Sequence, residues 1–105
     1  MARRVVISGI GLICALGNTT ASVWQALLAG KSGVDRITGF DASNFACQIA
    51  AEVKQFDPLQ FIEKKEVKKM GRFIQFAIAA SECALSSSGL KVDEEYDARV
   101  RVYIG

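Results

Sequence analysis

The first apolar stretch, Val5-Val6-Ile7-Ser8-Gly9-Ile10-Gly11-Leu12-Ile13, is β-branched and apolar on both faces. A strand that does not alternate with polar residues is usually covered on both sides, as in a parallel sheet. Gly9 and Gly11 then let the chain leave the sheet, and Gly17-Asn18 signals a turn. Thr19 or Thr20 caps a helix whose predicted inner stripe is Val23, Trp24, Leu27 and Leu28, with Gly30 as its stop. Residues 34–44 read as irregular, rich in turn formers such as Gly39, Asp41, Ser43 and Asn44. Cys47 to Lys54 alternates weakly and predicts a short strand. Asp57-Pro58 opens a helical turn that Leu59 and Ile62 close against the core. The strongest helical signal runs from Lys64 to Leu85 as one long helix, ending near Ser86-Ser87-Ser88-Gly89. An acidic connector follows, from Lys91 to Asp97. Val100, Val102 and Ile104 then alternate with Arg99, Arg101 and Tyr103 as a last strand. The order of elements predicts an α/β fold with a mainly parallel sheet and a long buried helix.

The long helix has two characters. From Phe76 to Ala84 only Ser81 and Glu82 are polar, the mark of a helix buried in a sizeable core. Its first turns carry Lys65, Lys68, Lys69 and Arg72 at helical spacing, which places them on one face, while Val67, Met70 and Ile74 point inward. An apolar first strand and a helix apolar nearly all round need more cover than three short strands and two main helices supply. The chain is therefore expected to be part of a larger fold, or to pair with another chain.

Charge sharpens that picture. The net charge of the 105 residues is +2, but Glu63 to Arg72 alone carries +3 and the remainder −1. A positive balance confined to one patch argues against a nucleic-acid-binding domain and suits a small acidic partner. The plainer reading, a solvated helix face interleaved with Glu63 and Glu66, stays open on charge alone.

Candidate chemistry is sparse. The three cysteines, Cys14, Cys47 and Cys83, are far apart and form no C-x-x-C pair, which excludes a zinc ribbon or disulfide framework and fits a reducing cytosol. With no histidine, no step that needs an imidazole can be carried by these residues. No run is apolar and long enough to span a bilayer, and the N-terminus is not a convincing signal peptide. Gly9-x-Gly11 invites a dinucleotide fingerprint, but Cys14 stands where its third glycine belongs. Nucleotide binding is the weakest of the readings.

Several runs resemble the N-terminus of the β-ketoacyl-acyl carrier protein synthases. They are Arg4 to Gly11, Leu16-Gly17-Asn18, Trp24-x-x-Leu27-Leu28-Ala29-Gly30-Lys31-Ser32-Gly33, Phe40 to Phe45, Ile49 to Val53, and above all Lys64-Lys65-Glu66-x-x-Lys69-Met70-x-Arg72-Phe73-Ile74-Gln75-Phe76-Ala77. The set is in order, covers essentially the whole chain and is most similar to the type II elongating enzymes. The resemblance implies the N-terminal portion, residues 1–105, of the synthase N-terminal domain, incomplete here, in a thiolase-like fold. It implies decarboxylative condensation of an acyl group with malonyl-acyl carrier protein in the cytoplasm, without cofactor or metal.

The family's machinery is a nucleophilic cysteine with two histidines, and none of these falls in this chain. Cys14 matches a position where the family usually has serine before proline, and Ala15 replaces that proline. No catalytic residue is thus expected here. What the resemblance does carry over is a docking face for acyl carrier protein at Lys65, Lys68 and Lys69, with Lys64 beside them. It further implies a homodimer when full length, acyl and malonyl thioesters as substrates, and no nucleic-acid or membrane partner. Gly71 departs from the family's usual aspartate, and Gly39 from a frequent arginine. These departures leave open a polyketide-type ketosynthase, or a non-catalytic subunit that keeps the carrier-protein face.

Overall fold

The computed structural model describes residues 2–94 and 97–104. Its elements are α1 (Thr20–Leu28), β1 (Val34–Arg36), β2 (Ile49–Ala51), α2 (Lys64–Val67) and α3 (Arg72–Ser88), with 3-10 turns at Pro58–Gln60 and Asp97–Arg99.

Local chemistry sets the ends of α1. Thr19 is the N-cap: its Oγ1 accepts from the Ser22 N–H at 3.1 Å, and Ser22 Oγ accepts from the Thr19 N–H at 3.2 Å. Serine thus fills the place that Glu or Gln usually takes in a reciprocal capping box. At the other end Gly30 adopts φ +68, donating to Leu27 O, while Lys31 N–H reaches Ala26 O at 3.0 Å. This left-handed closure satisfies two terminal carbonyls and favours glycine at that position. The buried face of α1 differs from the expected stripe. Val23 and Ala26 are buried, whereas Trp24, Leu27 and Leu28 are each more than half exposed.

The sheet also differs. The described residues hold one two-stranded antiparallel ribbon, pairing Val34 with Ala51, Asp35 with Ala50 and Arg36 with Ile49, in place of the expected parallel sheet. Residues 34–36 form a strand where an irregular loop was expected, because β2 offers them a ladder. The expected strands at Val5–Ile13 and Val100–Ile104 are absent as ladders, although β2 falls inside the expected Cys47–Lys54 strand. β-Propensity describes residues suited to a pleated, half-buried surface, and without a neighbouring strand it yields only an extended run.

The run at residues 5–13 is placed by α3 instead. A Cβ on Gly11 would collide with Ala80 O and lie 2.7 Å from Ala84 N; one on Gly9 would meet Ala84 O and lie 2.6 Å from Ser88 N. The two glycines therefore serve close approach of backbone to helix rather than a turn. Ala80, Ala84 and Ser88, spaced four apart, form the shallow face that receives them.

The predicted single helix from Lys64 to Leu85 is two helices. Gly71, at φ −69 and ψ 160, is the N-cap of α3, and residues 68–70 form the turn between them. Glycine is costly inside a helix and acceptable at an N-cap, so the helix restarts there. Gly89, at φ 69, ends α3 in the left-handed conformation, close to the expected stop. The helix is less buried than its composition implies. Between Phe76 and Ala84 only Ala79 is fully covered, and the other apolar residues are half-buried. The 3-10 turn after Asp57 forms as expected, with Asp57 Oδ1 accepting from the Leu59 N–H at 3.0 Å. Ile62 is buried and Leu59 is not.

The molecule is open. Its radius of gyration is 17.3 Å, against about 13 Å for a compact domain of this length. Its accessible surface is 8866 Å², against about 5,700 Å² for a compact protein of this mass. Much of the excess is apolar: Val5 is 94% exposed and Ile7 84%.

Candidate functional site

The four lysines of the predicted site, Lys64, Lys65, Lys68 and Lys69, lie together on α2 and the turn after it. Lys65 Nζ is 3.3 Å from Glu63 and Lys69 Nζ 3.2 Å from Glu66 Oε1. The first pair is largely solvated and in the second Glu66 is half-buried; surface pairs of this kind contribute roughly 0–1 kcal/mol. Lys64 and Lys68 are exposed and have no ion pair among the described residues. α2 and the turn together thus show two open cations and two lightly held ones.

Arg72 does not join them. The break at Gly71 ends the helical phase that would have aligned it with Lys65, Lys68 and Lys69. Its guanidinium instead lies 5.1 Å from the Phe76 ring centroid and 5.9 Å from that of Phe56. The two rings meet edge to face at 5.0 Å. An arginine held over aromatic faces is a structural cation here.

Arg72 lines an open cleft of about 710 Å³ together with Thr38, Gly39, Glu52, Phe56 and Phe76. Glu52 closes one wall. Its Oε1 accepts from the Thr38 N–H at 2.9 Å and the Thr38 hydroxyl at 3.0 Å, and its Oε2 from the Gly39 N–H at 3.2 Å. The Thr38 N–H bond is the chief cause holding this carboxyl below its ordinary value of 4.5. The hydroxyl, the Gly39 N–H and nearby Lys54 add to that effect, and desolvation opposes it. A carboxylate whose pKa falls on folding stabilises the fold above its unfolded pKa, and that contribution is lost as pH drops through the folded value. Thermal stability is therefore expected to decline below pH 4.5, and Glu52→Gln should flatten part of that decline. Parallel pH profiles of Tm for the two proteins would contradict the assignment.

The cysteines gather no chemistry. Cys14 lies in a tight turn bridged both ways to Gly17, Cys47 is exposed, and Cys83 is half-buried on α3. Among the described residues no group of three His, Cys, Asp or Glu side chains is placed to hold a metal. No helix is long and apolar enough to cross a membrane.

Two residues of the region were not singled out from the sequence. Glu52 gave no local signal, because its partners lie thirteen and fourteen residues away. Gln75 did leave one: it is a polar residue on the inward side of an otherwise apolar run, and it is the buried polar residue of the described chain.

Comparison with known proteins assigns the family. Residues 2–105 match the model of the β-ketoacyl synthase N-terminal domain. Over 103 residues the chain is 52% identical to 3-oxoacyl-acyl-carrier-protein synthase 2 of Coxiella burnetii and 50% identical to its namesake in Vibrio cholerae, covering 98% of this chain and 25% of each relative. The chain thus spans about a quarter of the length of these relatives. Among solved structures, the ishigamide ketosynthase/chain length factor superposes with a TM-score of 0.77 at 38% identity, over 85% of this chain and 22% of that one. A β-ketoacyl synthase from Burkholderia phymatum superposes at 0.71 with 33% identity, over 92% of this chain and 24% of its own. Arising from an α/β chain whose glycine-bearing N-terminal run packs on α3, and matched along nearly its whole length, the conclusion is that this protein belongs to the β-ketoacyl synthase N-terminal domain family.

Proposed function

We propose that residues 1–105 form the N-terminal portion of a β-ketoacyl synthase N-terminal domain, and that the whole protein is a cytoplasmic condensing enzyme of fatty-acid synthesis. In this reading an acyl group passes from acyl carrier protein to a cysteine thiolate, with the carrier's thiol as leaving group. Malonyl-carrier protein then loses carbon dioxide, and the resulting carbanion attacks the acyl thioester to give the 3-oxoacyl product and free the cysteine. The histidines that stabilise the oxyanions lie outside these residues, which contain none, and the nucleophilic cysteine is assigned to the rest of the synthase with them. Its own part is recognition.

The observation that carries the reading is the solvent-facing lysine turn, with Lys64 and Lys68 open and Lys65 and Lys69 lightly held, on a chain 52% identical to a 3-oxoacyl-acyl-carrier-protein synthase. Concentrated surface charge steers a small acidic partner, speeds encounter and permits quick release. The whole protein, supplied with acyl- and malonyl-carrier proteins, is expected to release carbon dioxide and form a 3-oxoacyl-carrier product. Carrier binding without product would favour a second reading, a non-catalytic subunit that keeps the carrier-protein face. The likeness to the ishigamide ketosynthase/chain length factor supports that alternative. Neither binding nor product would reject both.

A further inference from the structure

Gln75 sits on the first turn of α3 and is 6% exposed. Its Nε2 donates to Val67 O at 3.3 Å and to Met70 O at 3.2 Å. Two carbonyl acceptors can be met only by the NH₂ of a carboxamide, which sets the orientation of the group. Val67 O also accepts from the Met70 N–H at 3.3 Å, whereas among the described residues Gln75 is the donor that reaches Met70 O. The two carbonyls bracket Lys68 and Lys69. One buried carboxamide therefore pins both ends of the turn that carries half of the lysine cluster.

The joint it spans has few side-chain ties of its own. α2 is a single turn, too short to hold its own axis, and the link to α3 passes through Gly71. Glycine has the widest backbone freedom of any residue, and no side-chain cap bond ties this N-terminus. Lysine side chains are long and mobile, so what the protein can fix is the backbone from which they depart. Fixing it beforehand lowers the ordering cost of docking. We propose that Gln75 is a positioning residue for an acidic carrier protein: its carboxamide holds the Lys68–Lys69 turn at a set angle to α3 across the Gly71 joint. The inference rests on the docking reading above and adds to it a residue that touches no partner.

Gln75→Met keeps the length and approximate volume of the side chain and removes both donors. In the whole protein, backbone amides of residues 67–71 are expected to exchange about tenfold faster, with those from Ala79 to Leu85 unchanged. Affinity for acyl carrier protein at low salt should fall roughly three- to tenfold, through faster dissociation. Unchanged exchange in the turn, or equal affinity of variant and wild type, overturns the proposal. Absence of salt-sensitive binding by the wild type overturns the docking reading itself, and this proposal with it. If urea unfolding shows that Gln75→Met does not fold, Gln75→Asn, which keeps the amide but shortens its reach, is measured in the same way, and the same outcomes decide.

Discussion

Gly11→Ala is expected to destabilise the protein by about 3 kcal/mol, the upper end of what overpacking costs. The added methyl would collide with Ala80 O and lie 2.7 Å from Ala84 N. Both are backbone atoms of α3, and α3 cannot yield there without breaking its own hydrogen bonds. A neighbouring side chain could turn aside, whereas a helix backbone moves only as a body. Gly9→Ala meets Ala84 O and the Ser88 backbone and should behave alike. The contrast is Gly30→Ala, where nothing lies within 4 Å and only the positive φ opposes the change. That strain costs roughly 1–2 kcal/mol. Urea unfolding of the three variants checks the order. A Gly11→Ala midpoint equal to wild type would mean that the N-terminal run does not lie on α3 in solution.

Lys65→Glu combined with Lys69→Glu should weaken acyl carrier protein binding roughly 100-fold at low salt, about 2.7 kcal/mol. Each reversal removes a cation and sets a like charge against the acidic partner, and juxtaposed like charges cost several kcal/mol. The new carboxylates would also face Glu63 and Glu66, which now hold the two lysines. Those contacts are solvated, so folding should change little. The structure adds a control that the sequence pattern did not suggest. Arg72 is turned onto Phe56 and Phe76, so Arg72→Ala should lower stability and leave carrier affinity nearly intact. Association measured across a salt series checks both. Equal affinity of the double reversal and wild type at low salt would remove the docking face, and a large affinity loss in Arg72→Ala would restore the single continuous face.

The aromatic cleft, the lysine cluster and the glycine contact differ in how far they were legible. Lys64, Lys65, Lys68 and Lys69 are close in the chain, so their clustering needed no fold. The position of Arg72 depended on whether helical phase continued through Gly71. The same residue that departs from the family's usual aspartate is the one that ends the phase. Glu52 and Thr38 are joined only by the hairpin of β1 and β2, and nothing near either residue announces the other.

By itself the sequence determined the local stops and starts: a threonine cap at Thr19 or Thr20, which the structure assigns to Thr19, then Asp57 with Pro58, Gly30 and Gly89. Each is decided by hydrogen bonds or a backbone conformation within a few residues. It also determined the confined positive charge and, through ordered motifs, the family. Only the tertiary structure decided the rest. Val5 to Ile13 has the composition of a strand, but a ladder needs a partner, and among the described residues this run meets a helix instead. Trp24, Leu27 and Leu28 have the spacing of an inner stripe, yet burial depends on what lies opposite, and Val23 and Ala26 are the residues that are covered. The purpose of Gly9 and Gly11 followed the same rule: sequence shows that no side chain is present, and only packing on Ala80, Ala84 and Ser88 shows why none can be.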